Sequence, residues 1–126
     1  MSNTTLKQAA KKCPMLESLQ VNIKSAEAVG RRNETLVTSQ RILLQEFINP
    51  ANVPFEVATV DAADVLLVGD RVASDSFFPG YDWTIIVCPK CKRHVGWAFT
   101  DHQKPKNSDP DFYGLIWSKI FLEILG

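Results

Sequence analysis

Two thiols separated by two residues, Cys88-Pro89-Lys90-Cys91, form the most recognisable chemical motif in this sequence. A tight turn at that spacing points both sulfurs the same way, which suits a zinc knuckle, and the same spacing occurs in redox dithiols. A redox pair needs a helix terminus or a nearby cation to lower a thiol pKa, and no helical pattern flanks the motif. The readings left open are an inert pair, a zinc site completed by Cys13, a histidine or a second chain, and a redox pair. Large rings gather on both sides of the turn, at Phe77, Trp83, Trp97 and Phe99. Aromatic residues on strands are ordinarily core, and on pattern alone that reading comes first. His94 shares a strand face with Gly96 and Ala98 and reads as a structural hydrogen-bonding residue. His102 sits in a polar loop and is given no role. Ser76 has Asp75 beside it and His94 downstream, but no nucleophile elbow or oxyanion motif surrounds it, which argues against a hydrolase triad. Asp61, Asp64, Asp70 and Asp75 lack calcium-loop spacing and read as turn residues.

The elements that position these residues follow from hydrophobic alternation. Trp83-Thr84-Ile85-Ile86-Val87 is β-branched or aromatic throughout, with Trp83, Ile85 and Val87 on one face. In the run from His94 to Phe99, Val95, Trp97 and Phe99 share a side. Together they predict a hairpin around the thiols. Upstream, Leu19, Val21 and Ile23 alternate with polar residues as a short strand, and Val29 to Asn33 reads as a turn. Thr35 to Phe47 fits a helix or a strand equally well. Ile48 to Asn52 is a loop, with Asn49 held extended by the following proline. Phe55 to Val60 reads as a half-buried strand. Val65 to Val68, a continuous apolar run closed by Gly69-Asp70, reads as a strand buried on both faces. Arg71 to Asp75 and Thr100 to Pro110 read as loops, and Phe112 to Ile116 as a closing strand. The tail from Trp117 continues as strand or helix, and residues 1–14 form a short helix or a frayed lead. Many short strands with close turn signals predict an all-β domain.

At 126 residues the chain is long enough for one domain with its own core. Lysine plus arginine equals aspartate plus glutamate at 14 each, and no basic run exceeds two residues, so neither nucleic acid nor an anionic membrane is the expected partner. The polar N-terminus lacks a signal-peptide core and no run reaches membrane-spanning length. Three cysteines, an odd number, fit a reducing compartment, so an intracellular protein, cytoplasmic or nuclear, is expected. Two glycosylation sequons, at Asn3 and Asn33, are read as chance.

The run F-P-G-Y-D-W-T-I, the run C-P-K-C-K-R-H-V-G-W-A-F and the later F-Y-G-L-I resemble the CULT domain, the thalidomide- and cyclic-imide-binding domain family of cereblon and its stand-alone relatives. Asn49-Pro50 and Leu67-Val68-Gly69 fall at matching distances. The likeness covers roughly residues 19–116, dense after Ser76, and leaves 1–18 as a polar lead ahead of a domain spanning 19–126. It implies a β-tent, two antiparallel sheets at a steep angle pinned by zinc, and ligand binding without catalysis.

The same resemblance assigns a pocket. Phe77 stands where the family has its first cage tryptophan; Trp83, Trp97 and Phe99 match the remaining rings. Asp75 replaces a histidine and Asn49 matches an asparagine beside the ligand. Flat polar rings such as glutarimide, succinimide or uracil suit such walls. The Asp75 carbonyl would accept the imide N–H, and the Phe77 N–H would donate to a ring carbonyl. Phe77 shortens one wall, and the Asp75 carboxylate opposes the ligand carbonyls, so weaker binding is implied. The metal site departs further. The family shares one zinc between two C-x-x-C knuckles, yet Val21 and Lys24 occupy the first pair's positions. Cys88 and Cys91 are half of a four-ligand set, too few to hold structural zinc firmly, and the site is expected to be empty or weak, with Val21 filling space. Ubiquitin-ligase association is unsupported, because the protease-like domain and adaptor-binding helices that provide it in cereblon are not in this sequence. The rival expectation is a structural or interaction domain whose pocket has degenerated. A small zinc- or thiol-dependent enzyme is a third.

Overall fold

The computed structural model describes residues 5–8, 16–35 and 41–120, with side chains described for 20–33 and 41–120. The architecture is all-β. Strands β1 (Thr5–Gln8) and β2 (Leu16–Leu19) pair as an antiparallel ribbon. The remaining strands are β3 (Gly30–Thr35), β4 (Arg41–Ile48), β5 (Pro54–Val60), β6 (Leu66–Val72), β7 (Tyr81–Val87), β8 (His94–Asp101) and β9 (Phe112–Ile116). They form one open antiparallel sheet in the order β3-β4-β5-β9-β8-β7-β6. Pairing therefore runs unbroken from the β3–β5 half through β9 into the β8–β6 half. Beyond β9 the chain makes a single 3-10 turn, Trp117–Lys119.

Packing is organised around β8, the strand flanked by β7 and β9, whose residues Val95 to Thr100 are all buried. One apolar cluster joins Ile42, Leu44, Ala58, Val60, Ile86, Cys88, Val95, Ala98 and Leu115. The other is aromatic, built on Phe47, Phe78, Trp97, Phe99 and Phe112 with Val57 and Ile116. Two glycines let β8 and β9 approach closely. A Cβ on Gly96 would lie 2.0 Å from the Gly114 carbonyl oxygen, and one on Gly114 would lie 2.8 Å from Val57 Cγ1 and 3.0 Å from Phe99.

Several local readings of the sequence change. Residues 5–8 are a strand where a helix or frayed lead is expected, and Gly30–Thr35 is an edge strand where a turn is expected. The upstream strand covers Leu16–Leu19, and beyond it the chain meets β5 through a Gln20↔Val60 bridge, the Val21 N–H to the Thr59 carbonyl and the Thr59 hydroxyl to the Val21 carbonyl. The ambiguous stretch resolves as strand from Arg41; residues 36–40 lie outside the described residues. Of the tail, residues 117–119 form the 3-10 turn, and 121–126 lie outside.

The largest correction concerns Val65 to Val68. Instead of being buried on both faces, β6 is an edge strand with Leu66, Leu67 and Val68 between 43% and 48% exposed. An apolar run specifies neither partner strands nor coverage; those depend on which segments fold over it. β7 shows the same effect. Its polar residues Asp82 and Thr84 are buried, whereas Ile85 is exposed.

Candidate functional site

Alternation along β7 and β8 fixes which side chains reach the site. Trp83 lies opposite Phe99 and Ile85 opposite Trp97 in the β7–β8 register. Because side chains at paired positions share a face, these four residues form a contiguous patch. The connection entering β7 adds Phe77. In the consecutive pair Phe77-Phe78, Phe78 enters the core against Phe47, Phe99 and Phe112, and Phe77 turns to the patch. Phe77 stacks on Phe47 with centroids 4.5 Å apart and planes 10° apart, and meets Trp97 edge-on at 5.1 Å.

The result is a pocket of about 430 Å³ lined by Asn49, Pro50, Phe55, Asp75, Phe77, Trp83, Ile85, His94, Trp97 and Phe99. That volume lies within the usual range for small-molecule sites. All six residues assigned by the resemblance, Asn49, Asp75, Phe77, Trp83, Trp97 and Phe99, border this one hollow. Phe55 is a wall the sequence reading missed, with its ring edge-on to Trp97 at 5.1 Å. A lone ring beginning a strand a few residues after Asn49-Pro50 was the available signal. Ile85 and His94 also border the pocket.

The rings are held by polar ties. Trp83 Nε1 donates to the Ser74 carbonyl at 2.7 Å, anchoring the segment that carries Asp75 and Phe77. The Ser25 hydroxyl donates to the Phe77 carbonyl, and Ser25 is itself held by its N–H to Gln45 Oε1 at 2.8 Å. Gln45, almost fully buried, also donates from Nε2 to the Ile23 carbonyl at 2.7 Å. Residues 23–25 thus form a bracket behind the pocket. Ser76 Oγ accepts from the Phe78 N–H at 3.1 Å and sits 3.0 Å from the Phe78 carbonyl, closing a local turn. Asp75 adopts a left-handed backbone with φ 58°, a conformation aspartate tolerates better than most residues. Among the described residues, no partner occupies the Asp75 carbonyl or the Phe77 N–H. Asn49 Oδ1 accepts the Val53 N–H at 2.9 Å, which fixes the 49–53 turn beside the pocket.

His94 behaves as its pattern suggests. Its Nε2 lies 2.9 Å from the Gly96 carbonyl, and its ring meets Trp97 edge-on at 5.1 Å. Burial pushes the imidazole pKa below 6.5 and the Lys119 charge adds to this, against the opposing pull of the Gly96 carbonyl.

The two thiols of the knuckle lie in unlike settings. Cys88 is buried in the aliphatic cluster, and Cys91 is exposed. Among the described residues no group of three or more candidate ligands comes together. Val21, expected to fill the space of a missing thiolate, packs instead against the aromatic cluster, whereas Cys88 belongs to the other one. Cys13 lies outside the described residues. Two thiols in such unlike environments are a poor zinc site.

On the opposite face of β7, a wider groove of about 810 Å³ mixes Asp82, Thr84, Lys106 and Asp109 with Leu67 and Tyr113. Beside it is a polar knot the sequence reading also missed. Asp82 receives Arg71 at 3.0 Å and lies 2.7 Å from His102 Nδ1, so His102 has a partner after all. Arg71 also donates to the carbonyls of Asp101, Lys104 and Pro105, tying β6 to the loop after β8. Burial alone would raise the Asp82 pKa, but His102 and Arg71 outweigh it and hold the carboxyl below 3.8.

The fold is thus an open antiparallel sheet carrying a ring-walled pocket. Comparison with known proteins narrows this. The chain is 36% identical over 93 residues to protein cereblon of Danio rerio, covering 73% of this chain and 21% of that protein. Protein cereblon of Gallus gallus gives 35% over 97 residues, 76% of this chain and 22% of the relative. Protein cereblon of Drosophila persimilis gives 47% over 52 residues, 41% of this chain and 8% of the relative. No family model matches. The chain is a cereblon-like domain of the CULT type, spanning about a fifth of the length of the vertebrate relatives it matches. No helix among the described residues is long and apolar enough to cross a membrane.

Proposed function

We propose that this domain is a non-enzymatic receptor for neutral, planar cyclic imides and related uracil-like rings. The observation that carries the reading is the pairing of an aromatic pocket with a main-chain segment that has no partner among the described residues. Phe77, Trp83, Trp97 and Phe99 line the hollow, and Asp75 and Phe77, whose carbonyl and N–H have no partner among the described residues, belong to the same lining. An imide presents acceptor, donor and acceptor along one edge, so a main-chain acceptor followed by a donor reads it without any side chain. Catalysis is a poorer use of the site. Ser76 Oγ is engaged with its own turn, and the His94 ring is held to a carbonyl in a setting that disfavours its charged form.

Titration of intrinsic fluorescence with succinimide, thalidomide and uracil tests the reading, because two of the three tryptophans border the pocket. Saturable quenching that is lost in Trp97→Phe supports it. No change up to millimolar ligand refutes it and leaves a fold whose pocket has degenerated.

A further inference from the structure

The pocket carries an electrostatic feature that a neutral imide does not use. Five rings wall it, from Phe55, Phe77, Trp83, Trp97 and Phe99, and each presents a face of negative quadrupole potential or a tilted edge. The one carboxylate on its lining is Asp75, and neither lysine nor arginine borders it. A second hollow of about 340 Å³ shares Asn49, Pro50, Asp75 and Phe77 with the first and adds Glu27, again with no lysine or arginine on its lining. The other titratable group of the pocket, His94, has a ring nitrogen against the Gly96 carbonyl, which can only accept, so that nitrogen carries a proton and the other ring nitrogen is the one that titrates. The charged side chains on the two linings, Asp75 and Glu27, are thus both acidic. For an imide with two carbonyl dipoles a nearby carboxylate is unfavourable; for a bulky, weakly hydrated cation the carboxylate and the ring faces are favourable.

We infer that the pocket also binds quaternary ammonium groups, with the rings enclosing the methyl groups and the Asp75 carboxylate acting as counter-ion at the rim. Attraction of a cation to aromatic faces is strongest when the cation sheds its water easily, which favours trimethylammonium over a primary ammonium. A pocket of about 430 Å³ is ample for such a head group with part of its chain. The inference depends on the same open pocket as the imide reading but not on imide recognition itself.

The test uses tetramethylammonium chloride, a trimethyl-lysine peptide and choline against the intact chain by calorimetry at constant ionic strength, with succinimide in parallel. 3,3-Dimethylbutanol, which replaces the cation of choline by a neutral group of similar shape, is the control. Tetramethylammonium is expected to bind and choline to exceed its neutral analogue by roughly tenfold. The peptide and choline arms distinguish a modified side chain from a free small molecule. Asp75→Asn keeps a residue that tolerates the left-handed backbone. It is expected to weaken the ammonium ligand roughly fivefold and to strengthen succinimide, moving the two in opposite directions. Succinimide binding without tetramethylammonium binding overturns this inference and leaves the imide reading standing. Ammonium binding without succinimide does the reverse, and absence of both overturns both. Equal affinity for choline and its neutral analogue, or an unchanged ammonium affinity in Asp75→Asn, also overturns it.

Discussion

Gly96→Ala is the most direct probe of how the fold holds the pocket. The new methyl would lie 2.0 Å from the Gly114 oxygen, 3.0 Å from its carbon and 3.1 Å from Leu115 Cα. Carbon–oxygen contacts between neighbouring strands settle at about 3.3 Å or more, so β8 and β9 must part by more than ~1 Å. The pairs Gly96↔Leu115 and Trp97↔Gly114 lie at this point, and parting the strands disrupts the ladder bonds there. Losing about two bonds at ~1 kcal/mol each, with the buried groups left unpaired, costs about 3–5 kcal/mol in total. Gly96 also has φ 155°, which an alanine adopts poorly. Against a typical stability of about 5–15 kcal/mol, the variant should lose roughly 10–20 °C in Tm by differential scanning calorimetry. Gly80→Ala is the control, because its φ of 94° is unfavourable for a side chain but nothing lies within 4 Å of the added carbon. It should cost only about 1 kcal/mol. If Gly96→Ala melts within about 3 °C of the parent, or no lower than Gly80→Ala, the account of β8 and β9 is wrong.

Two other expectations are checked as directly. Phe77→Trp extends the shortened wall by roughly 40 Å² of apolar surface, worth about 1 kcal/mol, so succinimide should bind roughly fivefold tighter by calorimetry; unchanged or weaker binding means this wall does not limit affinity. The Asp82 carboxyl has a depressed pKa, so its stabilisation is fully present above 3.8 and is lost as pH falls toward the lower folded value. Asp82→Asn leaves Arg71 without its charge partner and should cost about 3 kcal/mol at neutral pH in urea unfolding, with the difference from the parent shrinking under acid. A variant as stable as the parent at pH 7 removes the knot from the account.

Legibility followed the range of the forces involved. Alternation from Trp83 to Val87 and from His94 to Phe99 identified the hairpin, because a period of two is a local property of a strand. Four aromatic residues that border the pocket, Trp83, Trp97 and Phe99 on that hairpin and Phe77 just ahead of it, were legible through the resemblance, while on pattern alone they read as core. Phe55 escaped because its part in the wall depends on β5 reaching Trp97 from across the sheet. His102 escaped for a similar reason, having no chemistry in its own loop until Asp82 is placed beside it.

The amino-acid order by itself determined an all-β chain, the position of its hairpin and the chemical character of its rings. Only tertiary structure decided that Leu66 to Val68 lie on an exposed edge, that Asp82 is buried while Ile85 is not, and that Cys88 and Cys91 have unlike surroundings. Periodicity states that a strand has two faces; what covers each face is settled by segments distant in sequence, whose packing and hydrogen bonds are not encoded in any short window.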